Sequence, residues 1–227
     1  MIPKQLAAEA AMEFLADGMV IGLGTGSTAD FFLRALSAAL KERRLREIVG
    51  VATSRQSERR AMELGIPLTT LAQRPRLDVT VDGADEVDPN LDLIKGLGGA
   101  LLREKIVAQN SSRLIIIVDA GKTVGKLGSK SPLPVEVAMF AHETHAAFLK
   151  KLGAEPTLRR LADGSAFVTD NGNHIYDCRF SQGIDDPHAL ANHLRERAGI
   201  VEGGLFLGMA SVALIADERT VTRRERR

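Results

Sequence analysis

The chain has 227 residues, with 30 Lys and Arg against 29 Asp and Glu and a formal net charge of +1. That length allows one large domain, or one domain with a smaller companion, around a proper core, and the charge balance argues against a nucleic-acid partner or an anionic membrane surface. Cys178 is the single cysteine and aromatic residues make up 4%, which excludes an intramolecular disulfide framework, a multi-thiolate metal site and an aromatic platform for single strands.

At the N-terminus, Glu9, Glu13 and Asp17 are wrong for a signal peptide. No apolar run reaches the roughly 18 residues that span a bilayer, so a soluble cytoplasmic protein is expected. Residues 4–17 set Leu6, Ala10 and Phe14, and Ala7, Ala11 and Leu15, at helical spacing before Asp17-Gly18. They predict a helix with a glycine stop. MVIGLG is a short buried strand, followed by a helix from Ser27 to about Arg44. IVGVATS is the second strand, and RQSERRAMELG is a helix stopped by Gly65. LDVTVDGADEVD is a strand running into an acidic turn, LDLIKGLGG a short strand and loop, ALLREKIVAQN a helix, and RLIIIVDAGK a strongly apolar strand. Apolar strands alternating with helices predict an α/β fold, a parallel sheet with helices on both faces.

The pattern changes after about residue 126. SPLPVEVA is a Pro-bounded strand and HETHAAFLKKLG an amphipathic helix. EPTLRRL and AFVTDNGNHIYDCRF read as antiparallel, with an Asn171-Gly172 turn signal, and DPHALANHLRERAG is a helix opened by Asp-Pro. This run predicts a small α+β domain over 127–202, inserted into a larger one made of 1–126 and 203–227. GLFLGMASVALIAD is expected to rejoin the first sheet, and ERTVTRRERR reads as a solvated basic tail.

Several polar, glycine-rich stretches fall at the predicted carboxyl ends of strands, the edge where open parallel sheets bind ligands. In GLGTGSTADFF, Gly24, Gly26 and Ala29 satisfy a dinucleotide pattern. That pattern also needs an acid about 20 residues on, at the end of strand two. Strand two ends Val51-Ala52-Thr53-Ser54, without a carboxylate, and no Gly-Lys-Ser/Thr marks a P-loop. What remains is a turn of backbone N–H groups, a helix N-terminus and the hydroxyls of Thr25, Ser27 and Thr28, a supply of donors suited to one phosphate monoester. The alternative is a plain N-cap made by Ser27 or Thr28.

DGADEVD sets Asp82 and Asp85 three apart, able to work as acid and base or to bind sugar hydroxyls, or else to form a solvated turn. The run fails the EF-hand spacing, and His142 and His145 lack the i, i+4 spacing of a helical zinc pair. In KGLGGALLREK, Lys95 precedes a flexible loop and Glu104 lies inside the next helix among Leu101, Val107 and Ala108. Desolvation of a carboxylate raises its pKa and suits it to general-base work. A surface Glu–Lys helix is the alternative.

GLGTGSTA, TSRQSE, VDGADEVD, KGLGGALLREK, PLPVEV, VTDNGN and GLFLG occur in this order, and the set closely resembles type A ribose-5-phosphate isomerases from about Lys4 to Val221. The resemblance implies a Rossmann-like larger domain carrying a ferredoxin-like smaller one. It also implies a homodimer or homotetramer, and interconversion of ribose 5-phosphate and ribulose 5-phosphate with neither metal nor organic cofactor. By the same resemblance Glu104 shuttles the proton, and Asp82, Asp85 and Lys95 line the reacting end of the sugar. Thr25, Gly26, Ser27 and Thr28 bind substrate, with Gly83 and Ala84 between the aspartates, Gly96, Leu97 and Gly98 after the lysine, and Lys122 and Lys4 at the phosphate. Leu97 breaks what is usually a glycine run, so the loop is expected to differ locally there, because Leu adopts positive φ only at a cost. Leu102 likewise stands where a small polar residue is usual. Sugar-phosphate-sensing regulator domains, amino-sugar phosphate deaminases and coenzyme A transferases are the rivals, and Lys95 with Glu104 speaks against them.

Overall fold

The apolar strands of the N-terminal half assemble as their composition predicts. In the computed structural model, which describes residues 2–226, α1 (Pro3–Ala10) tightens into a 3-10 turn over Ala11–Phe14. Leu15 is already extended, so the helix ends short of the Asp17-Gly18 stop. β1 (Val20–Leu23), α2 (Ser27–Lys41), β2 (Val49–Ala52), α3 (Arg55–Leu64) and β3 (Val79–Asp82) alternate. Then come β4 (Glu86–Val87), β5 (Leu93–Ile94), α4 (Leu101–Gln109) and β6 (Leu114–Asp119). The remaining elements are β7 (Leu133–Val137), α5 (Thr144–Lys151), β8 (Glu155–Leu158), β9 (His174–Arg179), α6 (Pro187–Glu196), β10 (Ile200–Gly203), β11 (Leu205–Phe206), β12 (Val212–Ala216) and β13 (Val221–Glu225). Among the described residues no helix is long and apolar enough to cross a membrane.

The chain divides into two compact units. The first comprises the chain up to Ala84, Arg103–Thr123, and the chain from Gly208 onward; the second comprises Asp85–Leu102 and Val124–Leu207. The second unit is therefore larger than the expected 127–202, because β11 pairs with β5 and β5 with β4, which takes 85–102 along. The acidic run that read as a turn thus contains a strand, β4.

In the first unit six strands form one sheet in the order β13-β12-β6-β3-β1-β2. All neighbours are parallel except β12 and β13. Alternation along β1 sends Ile21 and Leu23 to one face, where they pack with Phe32, Leu33 and Leu36 of α2 and with Ala7 and Ala8 of α1. Gly22 lies on the other face. A Cβ there would stand 1.9 Å from Thr80 Oγ1 and 2.8 Å from Val107 Cγ1, so bare backbone is what lets α4 approach the sheet. β12 rejoins this sheet beside β6, as read from its apolar run.

The expected basic tail is a strand. Val221 to Glu225 form β13, paired antiparallel along β12. Thr222 to Glu225 are exposed, which is why the composition resembles a tail, while Val221 packs on the core. Charged side chains on a sheet edge discourage further strands from adding.

The second unit holds the order β7-α5-β8-β9-α6-β10, with an antiparallel sheet β10-β7-β9-β8, the βαββαβ arrangement of ferredoxin-like folds. β10 had no separate signal in the sequence, following directly on the end of α6. Asn171-Gly172 does make a tight turn, with Gly172 at φ 78°. The segment before it makes the isolated Arg160–Ala166 bridge, and β9 pairs antiparallel with β8, as read, and also with β7. Leu133, Val135 and Val137 of β7 join Leu149 of α5 and Leu190 and Leu194 of α6 in the core. Alternation puts Glu136 on the opposite face, where it is fully buried.

Candidate active site

In the first unit the parallel strands bring Thr25–Thr28, Thr53, Asp82 and Lys122 to the carboxyl edge of one sheet. The turn after β1 is shaped by two glycines. At Gly24 a Cβ would lie 2.3 Å from Asp82 Oδ1, so glycine there admits the carboxylate. Gly26 has φ 109° and is itself the N-cap of α2, with no side-chain cap. The cap reading of Ser27 and Thr28 is therefore replaced. Both residues lie in the first turn of a 15-residue helix, whose leading N–H groups favour an anion. Lys4 Nζ donates to Ser27 Oγ at 2.9 Å, which brings a cation to the same turn. Beside it opens a cleft of about 430 Å³, lined by Gly24, Gly26, Ser27, Asp30, Gln56 and Arg60 among others.

Asp30 would oppose an anion here, but Arg60 and Arg34 pair with it at 2.6 and 2.7 Å. Burial pushes its carboxyl upward, and the hydrogen bonds from Arg60 and Arg34 outweigh burial and hold it below the usual carboxylate range. Thr25 is the exception among the hydroxyls. Its Oγ1 lies 2.7 Å from Thr53 Oγ1 and 2.8 Å from Ser54 Oγ, and its N–H donates to Asp82 Oδ1 at 3.0 Å. The hydroxyl ties the turn to the end of β2. The acid-free end of strand two thus has a use: Thr53 and Ser54 support the turn.

Asp82 closes β3, is 1% exposed, and also accepts the Gly83 N–H at 2.8 Å. Ala84 ends this part of the unit. Glu104 is 5% exposed, on the α4 face that carries buried Leu101, Val107 and Ala108, as the helical wheel predicted. It lies one turn before Val107, which packs on the sheet. Lys122 ends the 3-10 turn that follows β6.

In the second unit, Lys95 follows β5 and is 2% exposed, its Nζ 5.5 Å from the centre of the Phe206 ring. Its own N–H donates to Gly204 O at 2.9 Å. Asp85 Oδ2 accepts the Leu97 N–H at 2.9 Å, joining two of the residues singled out in the sequence. Positive φ falls on Gly96 (108°) and Gly99 (81°), not on Leu97. Leu97 fits because the special geometry lies on either side of it, and its side chain is exposed. Gly98 is exposed beside it. Leu102 is half-buried.

Two of the sequence motifs meet within this unit. Glu136 Oε1, from PLPVEV, accepts from Thr169 Oγ1 at 2.8 Å, Asn173 Nδ2 at 2.9 Å and Asn171 Nδ2 at 3.1 Å, all from VTDNGN. Among the described residues no cluster of three or more His, Cys, Asp or Glu side chains could hold a metal ion.

The sequence profile of the family described as ribose 5-phosphate isomerase A (phosphoriboisomerase A) matches residues 49–220. The chain is 54% identical over 213 residues to the ribose-5-phosphate isomerase A of Roseiflexus castenholzii, covering 94% of this chain and 91% of that one. It is 54% identical over 218 residues to that of Gloeobacter violaceus, covering 96% and 93%. A solved D-ribose-5-phosphate isomerase in complex with phospho-erythronic acid superposes with a TM-score of 0.95 at 41% identity, covering 98% of this chain and 97% of that one. The Plasmodium falciparum ribose 5-phosphate isomerase does so with a TM-score of 0.94 at 39% identity and the same coverage.

Proposed function

The chain belongs to the ribose 5-phosphate isomerase A family, and on that premise we propose that it interconverts D-ribose 5-phosphate and D-ribulose 5-phosphate by proton transfer through an enediolate, without metal or organic cofactor. The observation that carries the mechanism is Glu104, a carboxylate 5% exposed inside α4. A base sheltered from water returns the proton it takes instead of exchanging it with solvent.

In this reading Asp82 assists ring opening by proton transfer at the ring oxygen. Glu104 then removes the C2 proton of the open aldose. The C2–H electron pair becomes the C1=C2 bond, and charge develops on O1, offset by Lys95 with Asp85 placing the hydroxyls. The O2 proton passes to O1, C2 becomes the carbonyl carbon, and Glu104 delivers its proton to C1. Gly26, Ser27, Thr28, Lys4 and Lys122 grip the phosphate, and that remote grip supports the geometry of the transfer. Thr25, Gly83, Ala84 and Gly96–Gly98 complete the substrate contacts. A homodimer or homotetramer in the cytoplasm belongs to the same reading, tested by sedimentation and by cell fractionation.

The direct test mixes chelator-treated protein with ribose 5-phosphate and follows ribulose 5-phosphate. Product is expected; its absence, or its dependence on added metal, refutes the reading. Glu104→Gln should lower kcat by roughly 10²–10⁴-fold, the worth of a positioned base. Turnover near that of the unsubstituted protein would remove Glu104 from the role.

A further inference from the structure

The loop after Lys95 is gripped from outside by one side chain that none of the sequence motifs singled out. Arg159, just past β8, donates through Nη1 to the carbonyls of Gly96 and Leu97, each at 3.1 Å. Its other edge makes a two-pronged pair with Asp177 of β9, Nε to Oδ2 at 2.9 Å and Nη2 to Oδ1 at 2.5 Å. The guanidinium also lies over the Phe167 ring, 5.6 Å from its centre. That ring covers Gly99, where a Cβ would stand 2.5 Å from Phe167 Cζ. The Arg159 side chain is 13% exposed, and its hydrogen bonds are charge-assisted, the stronger kind.

The geometry has a direct consequence for the loop. The Gly96 carbonyl and the Leu97 N–H belong to one planar trans peptide and point opposite ways. Arg159 holds the first and Asp85 the second. One peptide plane is thus clamped between a cation and an anion. The next plane has its Leu97 carbonyl on Arg159 as well, which turns the Gly98 N–H away from the guanidinium. A lysine cannot replace this hold, because the planar fork serves a carboxylate and two carbonyls at once.

We propose that Arg159 is a positioning residue of the isomerisation: it fixes the two peptide planes after Lys95, and so sets where Lys95 and the Gly98 N–H act on the sugar. The inference rests on the isomerase reading and adds to it a residue that touches no substrate. Because the phosphate grip lies on other residues and Arg159 holds only the Gly96–Gly98 contacts, loss of Arg159 slows turnover far more than it weakens substrate binding.

The test compares intact protein, Arg159→Ala and Arg159→Lys in kcat and KM for ribose 5-phosphate, with the thermal midpoint of each. Arg159→Ala should lose roughly a hundredfold in kcat, the cost of a misplacement of about 1 Å, with KM within about threefold. Arg159→Lys should stay folded and lose about tenfold. Millimolar methylguanidinium should restore part of the kcat of Arg159→Ala. A folded Arg159→Ala with kcat within about threefold of the intact protein overturns the proposal. So does a loss that only tracks the unfolded fraction and is not rescued. Should Arg159→Ala fail to fold, Arg159→Lys and Asp177→Asn decide by the same kcat-against-KM split. Intact protein without isomerase activity refutes the isomerase reading instead, before any variant is made.

Discussion

The turn at 24–28 and the loop at 95–99 are both glycine-rich, and they are held in opposite ways. The turn joins β1 directly to α2, and its supports are the ends of neighbouring strands: Asp82, Thr53 and Ser54. The loop joins a two-residue strand to α4, and side chains from elsewhere hold it: Asp85, Arg159 and the ring of Phe167. The first is a rigid cradle built into a strand–turn–helix unit. The second is a suspended segment, and its shape depends on what grips it. A binding function tolerates the first arrangement well, since an anion needs only converging N–H groups. A chemical step needs atoms placed to a fraction of an ångström, and a suspended loop meets that demand only through its clamps.

Substitutions separate the two. The largest effect within the loops is expected at Gly99→Ala, where a new Cβ meets the Phe167 ring and must also adopt φ 81°. It should lower kcat by roughly 10–100-fold with KM little changed. Adding Phe167→Ala should recover part of the loss, because the clash partner is gone; strictly additive losses would show that the ring does not shape the loop. Next comes Lys4→Ala. It removes the cation at Ser27 and should raise KM about tenfold, the worth of one charge-assisted hydrogen bond, with kcat nearly constant. If kcat falls and KM does not, the turn is no mere grip and the contrast between the two regions collapses.

The smallest effect lies away from both. His145 is 3% exposed and accepts from Arg197 Nε at Nδ1. Burial first, then the charge of Arg197 and then His142, push its pKa below 6.5. The unfolded chain binds that proton at higher pH than the folded one. The stability from neutral His145 is therefore full above pH 6.5 and is lost as pH falls through the lower folded value. Denaturant midpoints should decline below about pH 6.5, and His145→Gln should flatten the decline. An unchanged slope would assign the pH dependence to other groups.

These differences also explain what could be read from the sequence. The turn was legible because glycines, hydroxyls and the following helix are contiguous, and Glu104 because its apolar neighbours sit at fixed helical offsets. The clamp on the loop was not, since Arg159 lies 62 and 63 positions from the carbonyls it holds, and an Arg beside another Arg looks like any solvated pair. The strand of the acidic run is only two residues long, too short for a periodic signal. β13 escaped because an edge strand buries one face at most, and its residues carry charge. Thr53 and Ser54 stood at the right edge, but only the fold shows that their hydroxyls meet that of Thr25.

The sheet of the first unit is assembled from three separate lengths of chain. Its β6 edge is covered only by β12 and β13, and Arg223 of β13 reaches Glu13, 210 positions earlier. During synthesis the N-terminal helices and strands must therefore wait, with one side of β6 open, until β12 and β13 have left the ribosome. The second unit lies almost wholly between those lengths and is complete sooner. The first unit, begun before the second, thus closes its sheet only after the second has been made.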